Sequence, residues 1–350
     1  VNGELWSAAQ PQAGRQRSCH PRHASCHPRR MRLRDALLPL LIAASCGDDS
    51  ALQPAGHVLD GDTAKPMPAV GFGTCCRPSA KGAPLITSTK EYLQQGGRLI
   101  DTAEMYRNHR DLAKAVQGSG VPRDQIWITS KVNTKGRTST RAGALAAVER
   151  TTKELGTAYV DLMLIHGVWT LTEHQTVDVW RGLMDAKAKG LARHIGVSNM
   201  DVSRLEKLVA ETGVKPAALQ LEYHPWVGED AHAAVAYCQR QGIAVTAYGS
   251  LGGSRNKAQG DSLATLATER GVAPAALLLR WATNRGVAVI PGATSAEHIR
   301  ANLHLPAVSL SDADLTRIGA STTRPPNFAA WKNLPNEVVQ GKKKKTRRGI

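Results

Sequence analysis

The sequence lacks the marks of several protein classes. None of its apolar stretches approaches the ~20 consecutive residues that a membrane-spanning helix needs, so we expect no integral membrane span. Its six cysteines show no disulfide framework, and the adjacent Cys75 and Cys76 are expected to be reduced. The segment CHPRHASCHPRR lacks the C-x2-C…H-x3-H spacing of a zinc site, so no metal site is predicted there.

Positive charge is concentrated at the two ends of the chain. The formal net charge is +16, yet residues 1–34 hold seven arginines against one acid, Glu4, and the segment GKKKKTRRGI adds a further +6. Residues 35–340 carry only +4. This distribution argues against a nucleic-acid partner. The basic tail, residues 334–350, could bind phosphates or anionic lipid weakly, and the alternative is a solvated, disordered tail.

Residues 1–56 do not resemble a folded segment. Met31 opens the stretch MRLRDALLPLLIAASCGDDS, in which basic residues precede a short apolar run and then small residues. This order is typical of a signal peptide or a transit segment, so we predict the secretory pathway or import into an organelle, and the cytoplasm if no such leader acts. Residues 1–30 are then upstream sequence. The alternative is a plain disordered extension.

From residue 57 onward, short apolar runs alternate with longer amphipathic segments. The segment VLDGDTAKPMPAV comes first and predicts a β-hairpin with Asp60-Gly61 as its turn. The eight apolar runs after it are AVGFGT at 69, RLIDTA at 98, IWITSKV at 126, VDLMLIHG at 160, ARHIGVSN at 192, ALQLEYHP at 218, IAVTAYGSL at 243 and VAVIPGAT at 287. The segments between them have helical spacing, and Pro274 predicts a second helix within the seventh.

Eight such alternations predict an α/β fold, a parallel sheet closed into a (β/α)8 TIM barrel over residues 57–333. The N-terminal β-hairpin precedes the barrel and a short C-terminal extension follows it. The alternative is an open doubly wound sheet, which requires a Gly-rich phosphate fingerprint after the first strand. The stretch GFGTCC supplies Gly71 and Gly73 but no third glycine, so the barrel is favoured.

Polar residues stand at the ends of the predicted strands, where such a barrel carries its active site. They are Asp101 with Tyr106 in the loop beyond it, Lys131, His166, Ser198 with Asn199, Gln220, and Tyr248 with Ser250. Each has a structural alternative, because an Asp–Lys pair is commonly an ion pair and a Ser-Asn pair commonly caps the next helix.

The first four of these residues together predict a proton-donating site. Tyrosine ordinarily has a pKa of about 10 and is a poor acid at neutral pH. The Lys131 ammonium is expected to lower the pKa of Tyr106, and Asp101 to keep that ammonium charged. His166 can orient a carbonyl oxygen beside the phenol. Such a site suits the polarisation of a C=O group while hydride arrives at its carbon.

The sequence resembles the aldo-keto reductase family from about Val58 to Trp331. The most specific pieces are DTAEMY, ITSKV, LMLIH, GLARHIGVSN and LQLEYHP, in this order. The resemblance implies a (β/α)8 barrel that reduces aldehydes and ketones with NADPH and without a metal. It also implies a catalytic set of Tyr106, Asp101, Lys131 and His166.

The same resemblance implies a set of cofactor-binding residues. Ser198, Asn199 and Gln220 match the groups that hold the nicotinamide carboxamide, and Tyr248 matches the ring that stacks on the nicotinamide. The adenine-side asparagine matches Asn302. Three further groups of this kind are Ser250 and Leu251 after the seventh strand, Thr294, and His298.

The sequence departs from the family pattern at positions that affect specificity. Gly292 stands where a lysine usually meets the 2′-phosphate of NADPH, and His298 where an arginine is common. We therefore expect NADPH to be preferred over NADH only modestly, by about tenfold, with NADH possible. Cys75 and Gly167 replace larger groups and predict a wider substrate pocket, with Trp169 or Trp226 filling in, and a broad aldehyde specificity.

Two function classes compete. The first is a monomeric carbonyl reductase for small aldehydes or ketones. The second is an auxiliary or redox-sensing protein that binds a nicotinamide cofactor on the same barrel, since a fold does not determine a function. The intact set around Tyr106 favours catalysis, because a pure binder needs no proton donor. A cofactor-free lyase or isomerase would leave Ser198, Asn199 and Gln220 without a role.

Overall fold

The computed structural model describes residues 56–252 and 261–321. The predicted leader, the basic tail and the last residues of the predicted barrel, 322–333, lie outside this range. The described part of the chain begins with an antiparallel hairpin of β1 (His57–Leu59) and β2 (Asp62–Met67). Asp60 and Gly61 form its turn with φ of 50° and 77°, which is the left-handed geometry that a type I′ turn requires, so the hairpin prediction is confirmed.

Each of the eight predicted runs contains one strand of a single parallel sheet. The strands are β3 (Phe72–Gly73), β4 (Leu99–Asp101), β5 (Trp127–Val132), β6 (Val160–Ile165), β7 (Ala192–Ser198), β8 (Ala218–Glu222), β9 (Ala244–Tyr248) and β10 (Ala288–Val289). They pair in sequence order from β3 to β10.

Hydrogen bonds between the first and last strands close the sheet into a barrel. The amide of Gly71 donates to the Val289 carbonyl at 2.7 Å, and the Val289 amide donates to Ala69 at 2.8 Å. Further along, the Gly73 amide donates to Pro291 at 3.2 Å. The two backbones are so close that a Cβ on Gly73 would lie 2.4 Å from the Ile290 carbonyl oxygen, so this position requires glycine. The barrel prediction is confirmed and the open sheet is wrong.

Helices follow the strands and cover the outside of the barrel. Within the described residues they are α1 (Gly82–Gln94), α2 (His109–Gln117), α3 (Arg141–Leu155), α4 (Glu173–Ala188), α5 (Val202–Thr212), α6 (Glu229–Arg240), α7 (Asp261–Glu269), α8 (Pro274–Thr283), α9 (Ala296–Leu303) and α10 (Asp312–Gly319). Their ends follow local chemistry: Thr140 caps α3 by accepting from the Gly143 amide, and Pro274 opens α8 at its first turn, as predicted.

The buried apolar side chains form two clusters. The larger one lies between the outer face of the sheet and the helices, and includes Leu85, Val148 and Trp180. The smaller one contains Leu59 and Met67 of the hairpin together with strand residues such as Leu99, Trp127, Leu162 and Ile290. The hairpin therefore plugs the end of the barrel where the strands begin, which leaves the end where they finish for the site.

The described residues contain neither a membrane-spanning helix nor a cluster of metal-binding side chains. None of the helices there combines the length and the apolar character needed to cross a bilayer. The same part of the chain contains no group of three or more His, Cys, Asp or Glu side chains that could hold a metal ion.

Candidate active site

Asp101 and Lys131 form a buried ion pair at the finishing end of the strands. Asp101 is the last residue of β4, Lys131 lies in the neighbouring β5, and their side chains meet at 2.6 Å with 3% and 1% exposure. The ammonium also donates to the Thr102 carbonyl at 2.9 Å, and the second carboxylate oxygen accepts from the Gln220 amide at 2.7 Å. Because a buried charge is costly unless it is paired and hydrogen-bonded, this set of contacts explains how Asp101 is accommodated.

Tyr106 approaches this pair from the loop after β4. It ends a 3₁₀ turn, Glu104–Tyr106, and the next residue, Arg107, has a φ of 54° that turns the chain into α2. Glu104 anchors the turn by accepting from the Asn133 amide at 3.0 Å and by pairing with Arg150. The Tyr106 hydroxyl then lies 3.5 Å from the Lys131 ammonium. The tyrosine therefore follows the aspartate closely because the short loop after β4 brings it to the lysine that Asp101 already contacts.

His166 lies beside the phenol. Its ring is edge-on to Tyr106, with centroids 5.6 Å apart and planes at 80°. Burial, and then the charge of Lys131, lower the pKa of His166 to about 3, so the ring is neutral at physiological pH. Its Nδ1 atom is buried and has no hydrogen-bond partner among the described residues. A neutral imidazole with a free nitrogen suits a hydrogen bond to a small polar ligand.

The pKa values of Tyr106 and Lys131 each reflect burial and the charges of neighbouring side chains. Burial raises the pKa of Tyr106, and Lys131 acts in the predicted direction by lowering it, but without cancelling the rise. Burial alone would lower the pKa of Lys131, but Asp101 and Tyr106 outweigh it and raise the pKa. At neutral pH the site therefore holds a protonated phenol next to a charged ammonium.

The three predicted carboxamide-binding residues lie at the ends of β7 and β8, beside the catalytic set. Ser198, Asn199 and Gln220 are 1%, 4% and 3% exposed. The Tyr248 hydroxyl donates to the Asn199 side chain at 2.7 Å, and the Asn199 amide donates to the His166 carbonyl at 2.9 Å. Gln220 already donates to Asp101, so its amide also belongs to the support of the ion pair.

The outer residues of the predicted cofactor set occupy two further places on the rim. Ser250 is buried and donates to the Ala247 carbonyl at 3.1 Å, whereas Leu251 is 40% exposed. Thr294 and His298 are exposed around the start of α9, and Asn302 is half-buried within that helix. The structure places all of them after β9 or β10, on the side of the barrel away from β5.

The structure places the three predicted pocket residues in different surroundings. Trp169 lies beside His166 with ring centroids 5.9 Å apart, and a Cβ on Gly167 would be 2.5 Å from its ring, so Trp169 occupies the space above that glycine, and its place in the substrate pocket stays a prediction. Trp226 does not line the pocket, because it is 2% exposed and its indole N–H donates to the Ile318 carbonyl under α10. Cys75 is half-buried in the loop after β3, where its Sγ lies close to that of Cys76, and the reduced state of the two thiols stays a prediction.

Sequence reasoning did not single out two polar residues, Asn108 and Arg77. Asn108 is buried and joins three segments, accepting from the Thr102 hydroxyl at 2.7 Å and donating to the Thr74 and Ala80 carbonyls at 3.0 and 3.2 Å. Its place two residues after Tyr106 was the available signal. Arg77, whose guanidinium lies over Gly292, was also not singled out, although the absence of a lysine at position 292 was a reason to look for a cation nearby.

Comparison with known proteins agrees with this geometry. The aldo/keto reductase family matches residues 85–322. An aldo-keto reductase of Mycolicibacterium smegmatis is 36% identical over 264 residues, which cover 75% of this chain and 88% of that protein. Methylglyoxal reductase DkgB of Escherichia coli O157:H7 is 33% identical over 73% of this chain and 92% of its own length.

Solved structures resemble this fold over a similar range. An aldo/keto reductase from Brucella melitensis superposes with a TM-score of 0.67 at 28% identity, covering 77% of this chain and 99% of that one. An aldo-keto reductase of Bombyx mori, solved in complex with NADP, gives a TM-score of 0.68 at 26% identity over 77% of this chain and 92% of its own.

Proposed function

The chain belongs to the aldo/keto reductase family, and from that premise we propose that it reduces small aldehydes or ketones with NADPH, with Tyr106 as the proton donor. As a member of this family it is an oxidoreductase that acts on carbonyl groups with a nicotinamide cofactor. The roles of the individual residues and the choice of cofactor rest on the geometry of the site.

The observation that carries the proposal is the position of the Lys131 ammonium between Asp101 and Tyr106. It lies 2.6 Å from the carboxylate and 3.5 Å from the phenol, with a lysine side chain that is 1% exposed. As the phenol gives up its proton, the ammonium stabilises the developing phenolate in a site from which water is largely excluded. Asp101 keeps the lysine charged and holds it in place.

His166 and Trp169 define where the substrate oxygen sits. The neutral His166 ring is edge-on to Tyr106, so an oxygen bound between them can accept from the phenol and, in the appropriate tautomer, from the imidazole. The Trp169 ring forms an apolar wall on the other side of the histidine. A small carbonyl compound with one polar end and an otherwise apolar body fits this arrangement.

The chemistry of the neighbouring residues fits a nicotinamide cofactor. Ser198, Asn199 and Gln220 present buried hydroxyl and amide groups of the type that bind a carboxamide, and Tyr248 adds an aromatic surface. NADPH would supply the hydride when bound. Relatives support this choice in part, since an indole-3-acetaldehyde reductase of Schizosaccharomyces pombe that is 31% identical over 73% of this chain is NAD/NADP-dependent.

Tyr106→Phe tests the proposal. The full chain is mixed with NADPH and methylglyoxal or an aromatic aldehyde, and the fall in absorbance of the reduced cofactor gives kcat. We expect kcat to fall by at least ~10²–10⁴, the range that one acid–base group supplies. The dissociation constant of NADPH, measured by quenching of tryptophan fluorescence, should not change.

Tyr159→Phe is the matched control, because Tyr159 also stands next to a lysine but at the hairpin end of the barrel. This variant should keep full turnover. A Tyr106→Phe protein that retains more than about a tenth of wild-type kcat would remove Tyr106 as the donor, since the expected loss is at least ~10². Cofactor binding without turnover in the wild type would instead favour the auxiliary or sensing function.

A further inference from the structure

The guanidinium of Arg77 occupies the space above Gly292 at the seam where the barrel closes. A Cβ built on Gly292 would lie 1.3 Å from Arg77 Nη1 and 2.5 Å from its Cζ. Arg77 lies in the loop after β3 and Gly292 follows β10, so a cation from the first βα loop lies on the residue that leads toward α9. The two positions are far apart in sequence and meet only because the barrel closes.

This guanidinium has few partners for a half-buried charge. It donates to the Gly73 carbonyl at 3.2 Å, and its Cζ lies 6.0 Å from the centre of the Phe72 ring. Its Nε is buried without a hydrogen-bond partner, and no carboxylate among the described residues lies within ion-pair distance of it. Burial lowers the pKa of Arg77, which is the direction expected when nothing offsets the loss of water.

Two other arginines among the described residues each pair with a carboxylate, unlike Arg77. Arg123 pairs with Asp161 at 2.8 Å, and Arg270 pairs with Asp314 at 2.7 Å. A guanidinium offers five donors in a planar fork that matches a carboxylate or a phosphate. Among the described residues Arg77 has one hydrogen-bond partner, the Gly73 carbonyl, and no carboxylate, and it lies at the end of the barrel where the strands finish.

We propose that Arg77 binds a phosphate group of the dinucleotide cofactor and supplies the cation that position 292 lacks. This inference rests on the proposed function. The exposed hydroxyls of Thr294 and Ser295 and the start of α9 follow Gly292 directly, so an anion held by Arg77 would also be near amide groups that favour negative charge. Gly292 is then glycine because a side chain there would displace the guanidinium.

The test compares dissociation constants for NADPH and NADH, measured by fluorescence quenching on the full chain, and needs no turnover. We expect Arg77→Gln to weaken binding by at least about tenfold, since a charge-assisted hydrogen bond to phosphate is lost. If only NADPH weakens, the phosphate is the 2′-phosphate; if both cofactors weaken equally, it is the pyrophosphate. Either result supports the proposal.

Three further variants complete the design. Arg285→Gln is the matched control, because Arg285 is another half-buried arginine, stacked 4.1 Å over Trp281 on the far side of α8, and its loss should leave both constants unchanged. In the double variant Arg77→Gln with Gly292→Lys, the lysine enters the vacated space and should restore part of the affinity. Arg77→Met serves the same purpose if the glutamine variant does not fold.

The binding measurements distinguish a failure of the Arg77 proposal from a failure of the proposed function. If the wild type binds the cofactors and Arg77→Gln binds them equally well, the Arg77 proposal is overturned and the proposed function stands. If the wild type binds neither nucleotide, both fall together.

Discussion

Both ends of the barrel carry an aspartate, a lysine and a tyrosine. At the finishing end of the strands these are Asp101, Lys131 and Tyr106, here called the rim trio. At the hairpin end they are Asp161, Lys65 and Tyr159, here called the base trio. The two ion pairs have the same length, 2.6 Å, and in each the aspartate side chain is at most 3% exposed.

The surroundings of the two pairs differ. In the base trio, Asp161 accepts from Arg123 at 2.8 Å and from the Ile128 amide at 2.9 Å as well as from Lys65, and Arg123 also stacks 4.4 Å over Tyr159. Two cations thus serve one carboxylate, and burial lowers the pKa of Lys65 in spite of Asp161. In the rim trio one lysine serves one carboxylate, and its pKa is raised.

Residue types alone therefore do not distinguish a structural ion pair from one proposed to be catalytic. In the base trio the Asp161 carboxylate accepts from three donors, namely Lys65, Arg123 and the Ile128 amide. The rim trio leaves a phenol 3.5 Å from its ammonium and a neutral His166 with an unpaired Nδ1. Unfinished hydrogen bonding at a buried site is what a substrate can complete.

Removing each lysine gives the largest expected contrast. Lys131→Met should lower kcat by ~10²–10⁴, because the phenolate loses its stabilising charge. It should also destabilise the fold by ~3–5 kcal/mol, because Asp101 is left buried without a cation. Lys65→Met should leave kcat per folded molecule unchanged, because Arg123 still pairs with Asp161. Aldehyde reduction and urea unfolding measure the two effects, and equal kcat values for the two variants would contradict the assignment of roles.

Asp161→Asn should reverse the pattern. It leaves Lys65 and Arg123 without their carboxylate, so we expect the free energy of unfolding to drop by ~3 kcal/mol with little change in kcat at 25 °C. Asp185→Asn is the control, because the Arg141–Asp185 pair is exposed and should be worth ~0–1 kcal/mol. A loss of turnover that exceeds the loss of folded protein would show that the base trio affects the rim.

Acid should weaken the hairpin end of the barrel through Asp60. Hydrogen bonds from His194 and then Lys187 lower the pKa of Asp60 from 3.8 to about 2. A carboxyl with a depressed folded pKa stabilises the protein above its unfolded pKa, and this contribution is lost as pH falls through the folded value. Between pH 4 and about 2, unfolding free energy should therefore fall faster with acid in the wild type than in Asp60→Asn. Parallel curves would show that Asp60 does not contribute.

Gly167→Ala should give the smallest effect. The added methyl would meet the Trp169 ring at about 2.5 Å, so the ring must shift at the substrate side of the rim. We expect kcat/KM for an aromatic aldehyde to change by ~1 kcal/mol, with stability nearly constant. Gly319→Ala, where the methyl would meet open space at the end of α10, is the control. Identical kcat/KM values for both variants would exclude Trp169 from the pocket.

The sequence by itself determined the order of elements and most of the rim. Apolar runs with a polar residue at the end locate the strands, because parallel strands are buried on both faces and side chains at their ends converge. Asp101, Lys131 and His166 were predicted in this way. The Asp60-Gly61 turn and the helix start at Pro274 followed from backbone preferences, which are local.

Tertiary structure decided what depends on contacts between distant segments. The pKa of Tyr106 is raised because burial outweighs the attraction of Lys131, and burial cannot be read from neighbouring residues. Trp169 lies beside His166 whereas Trp226 packs in the core, although both follow a strand. Arg77 and Gly292 meet because the first and last strands hydrogen-bond across the seam, and only closure of the barrel puts a cation from one end of the domain onto a glycine at the other.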